Sequence, residues 1–192
     1  MKVEVEENKC LNPSLNRIKM MNNKGVTLIE LAIVVSIIAI LIIAVGFSFE
    51  GWVGRYKVEG QMKEIYGDLM NARAKAMSKS RVYFVTLATN SYTIYEDTNP
   101  VPDGNGTLET GTDDSVTQRN LATGYPIKWS DPQGDTQIDF STKGLSSDNK
   151  IICSNTSYNA DYSCIVISST RINIGQLTTA GGACDASNCV VK

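Results

Sequence analysis

The chain has 192 residues, 42% hydrophobic but only 7% aromatic, with a formal net charge of −2. Lys2, Lys9, Arg17, Lys19 and Lys24 face three Glu within residues 1–25, so the remaining chain is acidic, which argues against nucleic-acid binding through clustered cations. There is no histidine, which excludes Ser-His-Asp and Cys-His catalysis and His-based metal sites. No Ser-Lys or paired-carboxylate arrangement stands in for them, so neither an enzyme nor a cofactor is expected.

From Leu31 to Phe49 only Ser36 and Ser48 are polar, and Val26–Ile29 extends the run. About 20 such residues cross a bilayer as a helix. A secretory signal is the rival reading, with "AVG" at 44–46 as its cleavage site. Its apolar region would be about 7–15 residues, shorter than this one. It also leaves Glu30 unexplained, since a carboxylate near the middle of a membrane helix costs roughly 2.5–3.5 kcal/mol on insertion scales. Arg17, Lys19 and Lys24 precede the run and Arg55, Lys57 and Lys63 follow it, so flanking charge does not set its orientation.

Beyond the run, Val58, Met62, Ile65, Leu69, Ala72 and Ala76 recur at spacings of four and three. That pattern predicts a helix continuing to about Lys79 with one face packed on a core. Gly46, Gly51 and Gly54 lower helix propensity by about 1 kcal/mol each. After Ser80 the period becomes that of strands. "RVYFVTLA" and "SYTIYED" read as a hairpin. Residues 97–115 read as a turn-rich loop. Asp103, Asn105, Thr107 and Asp114 fit a calcium loop poorly, because Leu108 takes the place of the glycine at its sharp turn. Asp113 and Asp114 read as a solvated pair. Further strands are expected at "YPIKWS", "TQIDFS", "KIICS", "SCIVIS" and "TRINIG". One long helix followed by strands is an α+β arrangement.

Cys10 lies near the start; Cys153, Cys164, Cys184 and Cys189 lie near the end. Four cysteines allow three pairings. Pairs 153–164 and 184–189 are favoured because each closes a short local loop, worth roughly 3 kcal/mol for about 12 residues. Four free thiols, or a four-Cys zinc site, are the other readings; the latter lacks the C-x-x-C spacing.

"KGVTLIELAIVVSIIAIL" resembles the leader junction of type IV pilins and pseudopilins, with Lys24, Gly25, Val26, Thr27, Leu28, Ile29 and Glu30 in the motif's order. Val26 departs from the usual Phe or Met. The resemblance implies that a prepilin peptidase cuts between Gly25 and Val26 and methylates the new amine of Val26. Glu30 then has a counter-charge within reach of helix docking: the trimmed amine of a neighbouring subunit at the same depth. A buried charge persists only when paired. Translation from Met20 or Met21 would leave a short basic leader in place of the acidic "MKVEVEENKC". "LMNARAKAMSKSRVYFVTL", "IDFSTKG" and "CIVISSTRINIGQL" resemble the GspH/FimT family of H-type minor pseudopilins and minor pilins. Many relatives carry a Pro near Phe47, and some bind DNA through a Gly-Arg-x-Arg strand of which only Arg171 is present here.

The implied organisation is a leader over 1–25, a transmembrane and assembly helix over 26–49, its amphipathic continuation over 50–80, and a β-rich domain over 81–192. The implied function is that of a structural subunit in a type II secretion pseudopilus or a type IV pilus. The alternative is a ligand-binding minor pilin at a pilus tip, for DNA uptake or adhesion. That alternative needs an exposed basic or aromatic patch, and only Arg81, Arg119, Lys128, Lys143, Lys150 and Arg171 are scattered there. Implied partners are the peptidase, sibling pilins and an inner-membrane assembly platform. The implied location is the bacterial inner membrane, with the C-terminal domain in the periplasm and later in the filament.

Overall fold

A computed structural model describes residues 25–130 and 134–192, apart from the side chains of 44–48. Residues 1–24, with Cys10, both alternative starts and all of the expected leader except Gly25, lie outside the described residues. The chain divides into two compact units, one up to Ala44 and one from Val45 to Lys192.

Helix α1 spans Leu28–Lys79. Its predicted stripe of Val58, Met62, Ile65, Leu69, Ala72 and Ala76 is fully buried. These side chains join Tyr83, Val85, Ile138, Phe140, Ile152 and Ile165 in one core. Each large aliphatic member contributes about 1.5–3 kcal/mol of gross burial energy. The helix stops at Ser80, which takes a left-handed backbone (φ 54°). The Arg81 N–H then donates to the Ala76 carbonyl at 3.3 Å, closing the last turn as a Schellman motif does.

Among the described residues nine strands follow: β1 (Tyr83–Ala88), β2 (Ser91–Glu96), β3 (Asp114–Asn120), β4 (Ile127–Trp129), β5 (Gln137–Phe140), β6 (Lys150–Ser154), β7 (Cys164–Ile167), β8 (Ile172–Leu177) and β9 (Cys189–Val191). They form two antiparallel sheets, ordered β3-β2-β1-β5 and β4-β6-β7-β8-β9. The α+β expectation, a helix on antiparallel sheet, is what the structure has. Two strands were not expected. β3 lies within and beyond the end of the supposed loop and is exposed along most of its length, so it carries no apolar alternation. β9 has three residues, too few to show a period.

At β6 and β7 the sheet β4-β6-β7-β8-β9 is buried on both faces. Ile152, Ile165 and Ile167 point to the helix-side core. Ile151, Cys153, Cys164, Leu177 and Cys189 form a second cluster on the other face. Alternation along β6 and β7 separates the two sets. The C-terminal tail covers the second set, which is why all of β6 is buried.

Candidate functional site

The predicted junction is accessible. Gly25, Val26 and Thr27 precede the helix and are exposed. Among the described residues, no atom beyond the chain neighbours lies within 4 Å of where a Cβ at Gly25 would be. Val26 is 70% exposed. Thr27 starts the helix: its carbonyl accepts the Leu31 N–H at 3.2 Å, and its Oγ1 accepts the Glu30 N–H at 3.2 Å. Thr27 is therefore the N-cap, and Glu30 stands at the third helical position, the arrangement of a capping box. The signal for this was the T-x-x-E spacing itself, read above only as part of a longer motif. Glu30 also lies in the first turn, where the helix dipole favours a negative charge.

From Leu28 to Ile43 every side chain except Glu30 and Ser36 is apolar, and every one is exposed. Ser36 turns its hydroxyl onto the Ala32 carbonyl at 2.7 Å, so it adds little polarity to the surface. A contiguous apolar surface of this extent marks a membrane or protein contact. Among the described residues, no helix is long and apolar enough to cross a membrane, and the described side chains at this end stop at Ile43.

The cysteines are bridged, but not as the local loops suggested. The bonds are Cys153–Cys184 and Cys164–Cys189, with sequence separations of 31 and 25. The reason lies in the register. Cys153 and Cys164 face each other across β6 and β7, on the side turned away from the helix. The tail runs over that side and supplies one sulfur to each. Gly175 of β8 allows the approach, since a Cβ there would lie 2.4 Å from the Val190 carbonyl oxygen. Asn188 fixes the turn before β9: its Oδ1 accepts the Thr179 N–H at 2.8 Å, and its Nδ2 donates to the Ala183 carbonyl at 2.8 Å.

The loop after β2 is a closed hydrogen-bonded unit. Asp97 accepts the N–H groups of Asn105 and Gly106. Asp113 is buried, not solvated as its sequence suggested; it accepts the N–H groups of Thr98, Asn99 and Glu109. Glu109 accepts from the side chains of Asn99 and Asn105, which hold its carboxyl below the usual range. These oxygens already have donors. Among the described residues, no group of three or more His, Cys, Asp or Glu is arranged to hold a metal ion.

Most of the scattered cations have internal partners as well. Lys79, Arg81 and the Tyr83 hydroxyl converge on buried Glu96 at 2.6, 3.1 and 2.7 Å. Burial pushes the Glu96 carboxyl up, but the bonds from Lys79, Tyr83 and Arg81 outweigh it and the net shift is downward. Burial, reinforced by Glu96, pushes the Tyr83 phenol up to about 12. Arg119 pairs with Asp68 at 3.3 Å, and the Tyr92 hydroxyl donates to the same carboxylate at 2.7 Å. Lys128 donates to the carbonyls of Gly181 and Gly182 in the tail. Lys150 is itself buried, donating to the Asp135 carbonyl and paired with the Asp135 carboxylate at 3.1 Å. Four of the six cations that a basic patch would need are thus committed within the fold.

Residues 20–46 match the prokaryotic N-terminal methylation motif family. No curated protein matches the chain. Among solved structures, the chain is similar to the minor pseudopilin EpsH from the type 2 secretion system of Vibrio cholerae, at 12% identity over 62% of this chain and 97% of that one, with a TM-score of 0.46. It is also similar to the type IV minor pilin FimU of Pseudomonas aeruginosa (strain PAO1), at 14% identity over 68% of this chain and 95% of that one, with a TM-score of 0.46. The motif match ends within α1 and spans Gly25, Val26 and Glu30, the residues to which the resemblance assigned the junction and the assembly role.

Proposed function

We propose that the chain is a minor pilin or pseudopilin, a structural subunit that is trimmed between Gly25 and Val26, methylated on the new amine of Val26, and assembled through the N-terminal half of α1. The observation that carries this reading is the exposed apolar helix of Leu28–Ile43, interrupted by one carboxylate and preceded by an open Gly–Val bond within a methylation motif. An isolated soluble domain has no use for such a surface.

In this reading the leader keeps the N-terminus cytoplasmic, the apolar run of 26–49 holds the subunit in the inner membrane, and the β-rich body lies in the periplasm, where disulfides form. Cleavage converts an uncharged peptide link into an amine just ahead of the helix. Glu30 of one subunit then pairs with the amine of Val26 on another, and the pairing sets the axial register of adjacent helices. The assembly platform and sibling pilins are the partners. Mass spectrometry of membrane-extracted protein tests the reading: the expected chain begins at Val26 and carries one added methyl on its amine. A chain that still begins upstream of Val26, or one severed near Gly46 and free in solution, overturns it.

A further inference from the structure

Three aromatic side chains stand in one exposed line on α1. Phe49, Trp52 and Tyr56 are 57%, 62% and 70% exposed. The Phe49 and Trp52 ring centroids are 5.7 Å apart, and Trp52 stacks on Tyr56 at 6.1 Å. At 3.6 residues per turn, spacings of three and four form a single stripe. That stripe falls roughly opposite the face on which Gly54, Val58, Met62 and Ile65 are buried. Core packing therefore does not account for it. Arg55 is exposed on the same turn. Lys57 is exposed too, although its ammonium sits 5.4 Å from the Tyr125 ring centroid.

We propose that this stripe anchors the helix at the lipid headgroups: Phe49, Trp52 and Tyr56 lie in the interfacial layer of a phospholipid bilayer, on the side of the β-rich body, with Arg55 meeting lipid phosphates. The proposal rests on the membrane-anchored reading above. Depth favours lipid as the occupant. A hydrocarbon core of about 30 Å takes about 20 residues at 1.5 Å each, so a helix entering at Leu28 leaves it just before Phe49. Chemistry favours it as well, because Trp and Tyr combine an apolar ring with a polar tip and concentrate at this depth. The guanidinium of Arg55 complements phosphate.

The test uses the full chain in vesicles of phosphatidylethanolamine and phosphatidylglycerol that carry a nitroxide either on the headgroup or deep in the acyl chain. The protein has two Trp residues, so a Trp52→Phe variant supplies the Trp129 signal to be subtracted. Trp52 emission is expected to be quenched roughly twofold or more strongly by the headgroup nitroxide than by the deep one, as interfacial placement requires. Stronger deep quenching, or no quenching in protein that floats with the vesicles, overturns the proposal and leaves the anchor intact. Quenching that fades as protein is raised against lipid shows that a second copy covers the stripe, and also overturns it. Protein that fails to float with the vesicles defeats the anchored reading itself and this proposal with it.

Discussion

Glu30 and Gly25 call for different tests because their surroundings differ. A side chain at Gly25 would meet nothing within 4 Å among the described residues, so Gly25→Ala leaves the body untouched and, on the proposed reading, acts on recognition of the junction. The expected result is uncleaved protein in the membrane fraction; mature-length chain from this variant contradicts the junction. Glu30→Ala leaves the Thr27 hydroxyl cap in place, since that bond uses the Glu30 backbone N–H. The variant is expected to insert and fold but to enter filaments several-fold less well, because in the proposed assembly the neighbouring amine is then buried without a partner. Wild-type yield in sheared filaments removes the assembly role. Glu96 is a stability residue. Glu96→Ala leaves the buried Tyr83 hydroxyl without its acceptor, at a cost of about 1–3 kcal/mol, read as a lower midpoint in urea. A midpoint equal to wild type shows that water replaces the carboxylate. The depressed carboxyl of Glu96 stabilises the fold above its ordinary value of 4.5, and that contribution is lost as pH falls through the lower folded value. The Tyr83 phenol behaves in the opposite way: its contribution is complete below 10.0 and lost as pH rises towards about 12. Thermal unfolding across pH should show both edges, and Tyr83→Phe should soften the alkaline one.

Among the elements, α1 was the most legible, because its stripe repeats over several turns and each stripe residue is buried as its spacing requires. Hydrophobic period reveals which face is covered, but not how closely. Gly54 illustrates the difference: its sequence suggested only weak helix propensity, yet a Cβ there would come within 2.3 Å of the Tyr158 ring. Gly54→Ala is therefore expected to destabilise by about 1–3 kcal/mol despite its better propensity. In a Tyr158→Ser background the same Gly54→Ala change should cost much less; an equal cost there would place the strain elsewhere. The helix end offers the reverse case. Ser80 holds a left-handed backbone that suits glycine, so Ser80→Gly should raise the melting midpoint by an amount equivalent to about 0.5–1 kcal/mol. A lower midpoint would mean that the Ser80 side chain supplies a contact outweighing its strain. β3 and β9 escaped the sequence reading for a different reason. An edge strand exposed along its length, and a strand held by cross-links, owe their pairing to neighbours and not to their own pattern.

At the scale of the molecule, the sequence reveals four cysteines that stabilise the body but not which sulfurs meet. Loop length favoured near neighbours, whereas sheet register set Cys153 opposite Cys164 and brought the tail across both. Loops of this size are worth roughly 3–4 kcal/mol each in the chain-entropy model. Peptide mapping without reduction should recover linked fragments 153–184 and 164–189, and a Cys153→Ser, Cys184→Ser double variant should lose stability of that order. Fragments linking 153 to 164 would reverse the assignment. The same crossing has a consequence for timing. Wherever thiols are kept reduced, only the β8–β9 pairing and the bonds of Asn188 and Lys128 hold the last fifteen or so residues over Ile151 and Leu177, and that side of the sheet is less firmly covered. On the proposed reading, export into an oxidising space acts as the final step of manufacture: the chain gains a finished exterior only after it has left the compartment that made it.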